Sequence, residues 1–213
     1  MNDFLYGLLG VVVVFLTILI SMTIHELMHG WVAYRLGDDT AKEEGRLTLN
    51  PIKHLDPVYS ILLPLVMFFV GGPIFGGAKP VPVDFRNVRG GVWGMALVAL
   101  AGPLTNFVLA FIGFLVYVYI GPSSIVGFIA QNFMLVNLGF CCFNMLPIPP
   151  LDGSRVIYAI LPDGVRSFFD NLERTMGVWL VYIIILLFGS AFSGVLASMV
   201  NGIYGFFLWI VGV

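Results

Sequence analysis

Charge is what this sequence has least of. Of 213 residues only 10% are Asp, Glu, Lys or Arg, against about 25% in a soluble domain. Hydrophobic residues make up 59% and the mean hydropathy is +0.99, which excludes an aqueous globular fold and implies an integral membrane protein. Four windows carry no charge at all, 4–24, 57–78, 90–151 and 175–213. Each is long enough to cross about 30 Å of hydrocarbon, and the last two are each long enough to cross twice. The longest polar stretch, roughly 35–56, is too short for a soluble domain, so the chain reads as one membrane-embedded domain over 1–213. Cysteine is scarce as well: Cys141 and Cys142 are adjacent, cannot share one helix face, and therefore exclude a disulfide framework or a C-x-x-C metal site. No basic cluster stands out, so nucleic acid is not an expected partner; the lipid bilayer is.

The first apolar run does not read as a cleavable signal peptide, because it lacks a basic start and runs straight into polar chemistry. A first helix is expected from about Phe4 to Leu36, followed by the polar loop 37–57. The stretch 58–75 is apolar but broken by Pro64, Pro73 and paired glycines. In 79-KPVPVDF-85 prolines alternate with valines, a pattern that forbids a helix and a central strand but allows an edge strand or short hairpin. Helices are expected over about 92–120 and 125–145, and two final spans over roughly 176–190 and 195–212 meeting at 189-GSAFSG-194. The fold class expected is thus an all-α polytopic membrane protein: about five full spans plus a re-entrant region with a short β-hairpin, a core over 4–155 and C-terminal helices over 176–213.

Only three histidines are present, and two fall four apart in 25-HELMH-29, inside the first span. A charged group at mid-bilayer costs about 2.5–3.5 kcal/mol on insertion scales, so something must offset the expense. Residues i and i+4 stack on one helix face, so the imidazoles of His25 and His29 can reach one ion. Glu26 occupies the general-base position of the H-E-x-x-H metalloprotease motif, and zinc suits neutral imidazole. A catalytic zinc needs a third protein ligand. Asp152 is the outstanding candidate, delivered by 147-PIPPLDG-153, where three prolines end the helix. Unwound backbone at membrane depth requires protein or a wet cavity around it.

HELMH, 101-AGPLTN-106 and 144-NMLPIPPLDG-153, in that order, resemble the site-2 protease family of intramembrane zinc metalloproteases. The resemblance implies one Zn²⁺ held by His25, His29 and Asp152, with Glu26 as the base. It further implies Asn144 beside the metal, contacting the oxyanion or peptide, and Asn106 facing the same cavity. The substrate implied is a single-span transmembrane protein or peptide. Its unwound segment could add as a strand to Lys79, Pro80, Val81, Pro82 and Val83. His54 lies outside the motif and is an accessory candidate, for gating or proton transfer, set against a plain loop role. No PDZ-like or CBS-like module is evident. A metal transporter would use the same cluster, but would spread ligands along a path and usually carry a repeat. A silent scaffold would typically have lost Glu26 or a ligand. Oligomeric state is left open, a homo-oligomer included.

For His25, His29 and Asp152 to meet at one depth, 57–91 must enter the membrane and return to the side it left. All ten Lys and Arg then fall on one side, which the positive-inside rule makes cytoplasmic. That predicts a plasma or inner membrane protein with the N-terminus outside, the C-terminus in the cytoplasm and the metal nearer the cytoplasmic face.

Overall fold

The computed structural model describes residues 3–62, 66, 69 and 77–212. Helix α1 (Asp3–Arg35) is 33 residues long, about 50 Å at 1.5 Å per residue, and exceeds the hydrocarbon thickness. Its C-terminal third therefore reaches one end of the bundle with HELMH on it. After a short α2 (Thr40–Glu43) and a 3₁₀ turn (Pro51–His54), the chain enters a π-helical stretch (Pro57–Leu62). Helix α3 (Gly91–Ile120) runs back along α1 from Gly90, a left-handed start at φ 91° that favours glycine. Helix α4 (Ile125–Asn144) begins with the Ser124 side chain accepting from the Gly127 N–H, an N-cap that satisfies an orphan donor. Two short helices follow, α5 (Asp152–Tyr158) and α6 (Asp163–Met176), and then α7 (Val178–Val211).

Four helices among the described residues are long and apolar enough to cross a membrane: Gly7–Arg35, Gly91–Ile120, Ile125–Asn144 and Val178–Val211. The expected count of about five is not confirmed: the two final spans run on as Val178–Val211, two helical legs that meet at a kink at Phe188 (φ −126°, ψ 25°), beside the predicted junction. Past the kink the helix resumes through the glycines and serines of 189–194, because in lipid an unpaired backbone group costs several kcal/mol. Helix α7 lies antiparallel to α4. Val181 packs on Leu146 and Leu151 past the end of α4, while Phe207 packs on Phe114, Met134 and Leu138. The C-terminal end therefore stands opposite the 145–177 region. The expectation set it instead on the side of the basic loops.

The described residues contain no strand, so the expected hairpin is not found; residues 77–84 form an irregular segment. Its backbone groups are engaged by other partners: the Lys79 N–H donates to the His54 carbonyl (2.8 Å) and Arg46 donates to the carbonyls of Lys79 and Pro80. The dip expected of 57–91 falls in part outside the described residues, at 63–65, 67–68 and 70–76. Its two ends are described and they meet, with the Ser60 hydroxyl donating to the Gly77 carbonyl (2.6 Å). The Arg89 N–H then donates to the Leu36 carbonyl (2.9 Å), closing the segment onto the end of α1.

Candidate metal centre

HELMH is only half of a site; what the other helices bring to it decides its chemistry. Helix α3 presents Gly102 to the two imidazoles. A Cβ there would stand 2.5 Å from His25 Cε1 and His29 Nε2, so the close approach requires glycine. Pro103 next to it removes the helical hydrogen bond to the Ala99 carbonyl, and Ala99 lines the cavity. One turn on from Gly102, on the same face, Asn106 accepts a hydrogen bond from His25 Nδ1 at 2.5 Å. The His29 Nδ1 N–H donates to the Val98 carbonyl at 2.7 Å.

The direction of these bonds is fixed by a chain of partners. The carbonyl of Phe133 can only accept, so Asn137 turns its NH₂ to it (2.8 Å) and to Ser21 Oγ (2.9 Å). Asn137 Oδ1 is then an acceptor and takes a hydrogen from Asn106 Nδ2 (2.8 Å). Asn106 Oδ1 is left to accept from His25 Nδ1–H. Both histidines therefore carry a proton on Nδ1, and in the neutral imidazole this leaves the inward Nε2 as the atom free to ligate. Those two nitrogens stand 3.0 Å apart, and 3.2 and 3.3 Å from Asp152 Oδ2. Asp152 Oδ2 is buried and has no hydrogen-bond partner. Three inward lone pairs at such spacing repel one another unless a cation lies between them.

The residues fit zinc. Ligands about 2.0–2.1 Å from a tetrahedral zinc stand about 3.3 Å from each other, close to the spacings found. His25, His29 and Asp152 form a possible metal site among the described residues. The loop that supplies Asp152 is seated by Gly153, where a Cβ would come within 2.3 Å of the Met145 carbonyl.

The cavity beside the triad measures about 290 Å³ and is lined by Glu26, Asn144, Val81, Val83 and Arg155 among others. Glu26 Oε2 accepts from the Val81 N–H at 2.8 Å, so the irregular 77–84 segment lies directly over the metal-binding helix. Of that segment, Pro80, Val81 and Val83 line the cavity. Asn144 also lines it, with its NH₂ bonded to the Phe140 carbonyl (3.1 Å). Asn106 is fully buried and acts on His25 rather than on the open space. His54 is not among the lining residues; its buried ring bonds the Thr48 carbonyl through Nε2 (2.9 Å).

Sequence reasoning passed over Asn137, Ser21 and Arg155. The first two were detectable as polar residues inside spans, which are expensive there and seldom idle. Arg155 had no such signal. It reads from sequence as part of a polar loop, yet it lies on α5, reaches the cavity, pairs with Glu173 and sets its guanidinium 5.5 Å from the Phe85 ring centroid. Outside the spans, Asp38 braces the far end of the 77–84 segment. Its buried carboxylate accepts from the Thr40 hydroxyl (2.5 Å), the Asp84 N–H (2.9 Å) and Asn87. Burial alone would disfavour its charge, but these donors outweigh it and hold the carboxyl below the usual range.

No family model matches this chain, and no solved structure does. Curated relatives do. "Putative zinc metalloprotease YwhC" of Bacillus subtilis is 44% identical over 183 residues, 81% of this chain and 80% of the relative. "Putative zinc metalloprotease Rip2" of Mycolicibacterium smegmatis is 35% identical over 138 residues, 63% of this chain and 52% of the relative. A third, "Putative zinc metalloprotease MJ0611" of Methanocaldococcus jannaschii, is 34% identical over 135 residues, 62% of each chain.

Proposed function

This chain belongs to the zinc metalloprotease family that includes YwhC, and we propose that it is an intramembrane endopeptidase of the site-2 protease type. Its substrate would be a single-span membrane protein or a membrane-embedded peptide, such as a signal-peptide remnant. The observation that carries this reading is the convergence of two bare imidazole nitrogens and a buried carboxylate oxygen at the end of a membrane-length helix, with a second carboxylate in the same cavity.

A zinc ion held by His25, His29 and Asp152 would act as a Lewis acid, polarising the scissile carbonyl and making water nucleophilic near neutral pH. The chain supplies the rest. Glu26 would accept the proton of the attacking water and return it to the leaving amine, the work of a positioned general acid–base. Its Oε2 is already held by Val81, which fixes the carboxylate toward the cavity. Asn144 would steady the peptide or its developing oxyanion. The Val83 N–H and the Val81 carbonyl make no hydrogen bond to any described residue, so an unwound substrate could pair with them as a strand even though the segment is irregular by itself.

All ten Lys and Arg lie at or beyond the site end of the bundle, and the positive-inside rule makes that end cytoplasmic. Gly10 of α1 approaches Phe128 near the start of α4, and α7 finishes at the same end. Both ends of the chain would then lie outside, in a plasma or inner membrane.

The test is a single-span reporter reconstituted in proteoliposomes with wild type or Glu26→Gln, zinc content being measured in both. Expected is cleavage by wild type alone, with zinc bound by both. Equal cleavage by the two, or none by the zinc-loaded wild type, would remove the protease reading.

A further inference from the structure

Helix α6 (Asp163–Met176) wears its polarity inside out. Val165, Phe168, Phe169, Leu172 and Met176 recur at i, i+3, i+4, i+7 and i+11 and form one apolar stripe. In a helix bathed by water that stripe would face the protein, yet no residue of α6 is buried, and Phe168 and Val165 are 58% and 38% exposed. The polar face is the one turned inward. Glu173 pairs with Arg155, Asp170 accepts from the Tyr158 hydroxyl (2.9 Å), and Arg166 donates to the carbonyls of Tyr158 (3.0 Å) and Ala159 (3.1 Å). All three partner residues belong to α5 or directly follow it.

We propose that α6 is an interfacial helix, lying in the plane of the bilayer with its apolar stripe in the headgroup–acyl boundary, and that its polar face ties the Asp152-bearing α5 to that surface. The occupant of the outward face is lipid for three reasons. Only Gly177 separates α6 from the membrane-length α7, whose first turns expose Trp179 (55%), Ile183, Leu186 and Leu187. The stripe is therefore continuous with a surface that already faces hydrocarbon, and a tryptophan marks the headgroup level. A shallow groove of about 250 Å³ along α6, lined by Phe168, Leu172 and Met176 with Asn171 and Thr175 at its edge, suits an acyl chain rather than a charged ligand. The acids Asp170 and Glu173 are engaged by Tyr158 and Arg155, so they are turned away from an anionic lipid surface. Depth is thereby set for the metal site. A helix that buries its stripe about 5–10 Å into the boundary holds α5, and with it Asp152, at a fixed distance from the membrane surface.

The test uses the full chain in nanodiscs of phosphatidylcholine and phosphatidylglycerol holding one copy each. A single cysteine at Phe168 or Val165, on the stripe, or at Ser167, on the opposite face, carries an environment-sensitive NBD label. Cys141 and Cys142 are buried in α4, and their background is measured on the parent chain. Labels at 168 and 165 should emit to the blue of the label at 167. They should be quenched by lipid doxyl groups placed shallow on the acyl chain, and quenched by aqueous iodide several-fold less than 167 is. Equal iodide quenching at 168, 165 and 167 overturns the proposal. So does protection at 168 that appears only in discs holding two chains, which would make a second copy the occupant. Two stripe positions are labelled so that one poorly folded variant does not decide the outcome.

Discussion

Asn106 offers the sharpest test of how the metal site is built. It is fully buried and sits between two bonds of opposite sense, accepting from His25 Nδ1 at 2.5 Å and donating to Asn137 Oδ1 at 2.8 Å. Replacement by Leu removes both. His25 then loses the acceptor that holds its proton on Nδ1, and the tautomer with a bare Nε2 is no longer enforced. Partners of this kind typically contribute 10–100-fold to metal affinity, which is about 1.4–2.7 kcal/mol. Replacement by Asp separates the two bonds. The carboxylate still accepts from His25, but it sets an oxygen against Asn137 Oδ1, whose amide is locked by the Phe133 carbonyl. Asn106→Asp should therefore hold zinc within a few-fold of wild type while losing at least about 1–3 kcal/mol of stability, the penalty of a buried polar group left without a partner, which is larger for a charged one. Asn106→Leu should lose zinc affinity by the larger factor. Affinity is read by competition with a chromophoric chelator at neutral pH, and stability by thermal melting in detergent, with helicity checked by circular dichroism. If folded Asn106→Leu bound zinc as tightly as wild type, the tautomer argument would be wrong.

Gly102→Ala places a methyl 2.5 Å from both imidazoles, which are held by hydrogen bonds and cannot swing away freely; overpacking of this kind costs about 1–3 kcal/mol, and loss of bound zinc by elemental analysis is the expected readout. Asp38→Asn removes a buried charge held by Thr40, the Asp84 N–H and Asn87, and should cost about 1.5–3 kcal/mol at neutral pH, as hydrogen bonds to a charged group do. Because the folded-state pKa of Asp38 is lowered, the stability it adds is fully present above the unfolded carboxylate value of about 4 and is lost as pH falls through the folded value. The melting temperatures of wild type and Asp38→Asn should therefore converge on acidification below that point, and a constant gap across that range would refute the assignment.

Much of the site was legible because lipid makes polar residues conspicuous. HELMH, Asp152 and Asn144 could be named before any fold was known, since each sits in or at the end of an apolar run where a polar group must be justified. The same logic would have flagged Asn137 and Ser21, but neither belongs to a motif, and their role is to hold Asn106 rather than to meet the metal. Two readings misjudged the solvent. The run 189-GSAFSG-194 looks like a turn by the rules of aqueous helices; the chain does kink beside it, at Phe188, but the helix resumes at once, because in a membrane the backbone has nowhere else to place its hydrogen bonds. The alternation of Pro80, Val81, Pro82 and Val83 looks like an edge strand, but its backbone is shared among a loop carbonyl, Arg46 and Glu26. That pairing depends on contacts 25 to 55 residues away, which no local pattern contains.

The polar groups of the site can be accounted for atom by atom, and the result shows why the cluster is tolerable in lipid only as a whole. Both outward ring nitrogens and one oxygen of Glu26 are used by protein. His25 Nδ1 is taken by Asn106, His29 Nδ1 by the Val98 carbonyl, and Glu26 Oε2 by the Val81 N–H. What remains are inward lone pairs on two neutral imidazoles and on Asp152. Hydrogen-bond donors from the protein could have filled that gap, and none does among the described residues. A divalent cation satisfies all three at once, and the carboxylates of Asp152 and Glu26 together balance its two charges. The completed centre is then close to neutral, which matters because isolated charge in a low-dielectric interior is the most expensive state available. Removing either carboxylate leaves a net positive centre, so Asp152→Asn and Glu26→Gln should each weaken the site electrostatically. Only the first also removes a ligand, and zinc retention should be the property that tells them apart.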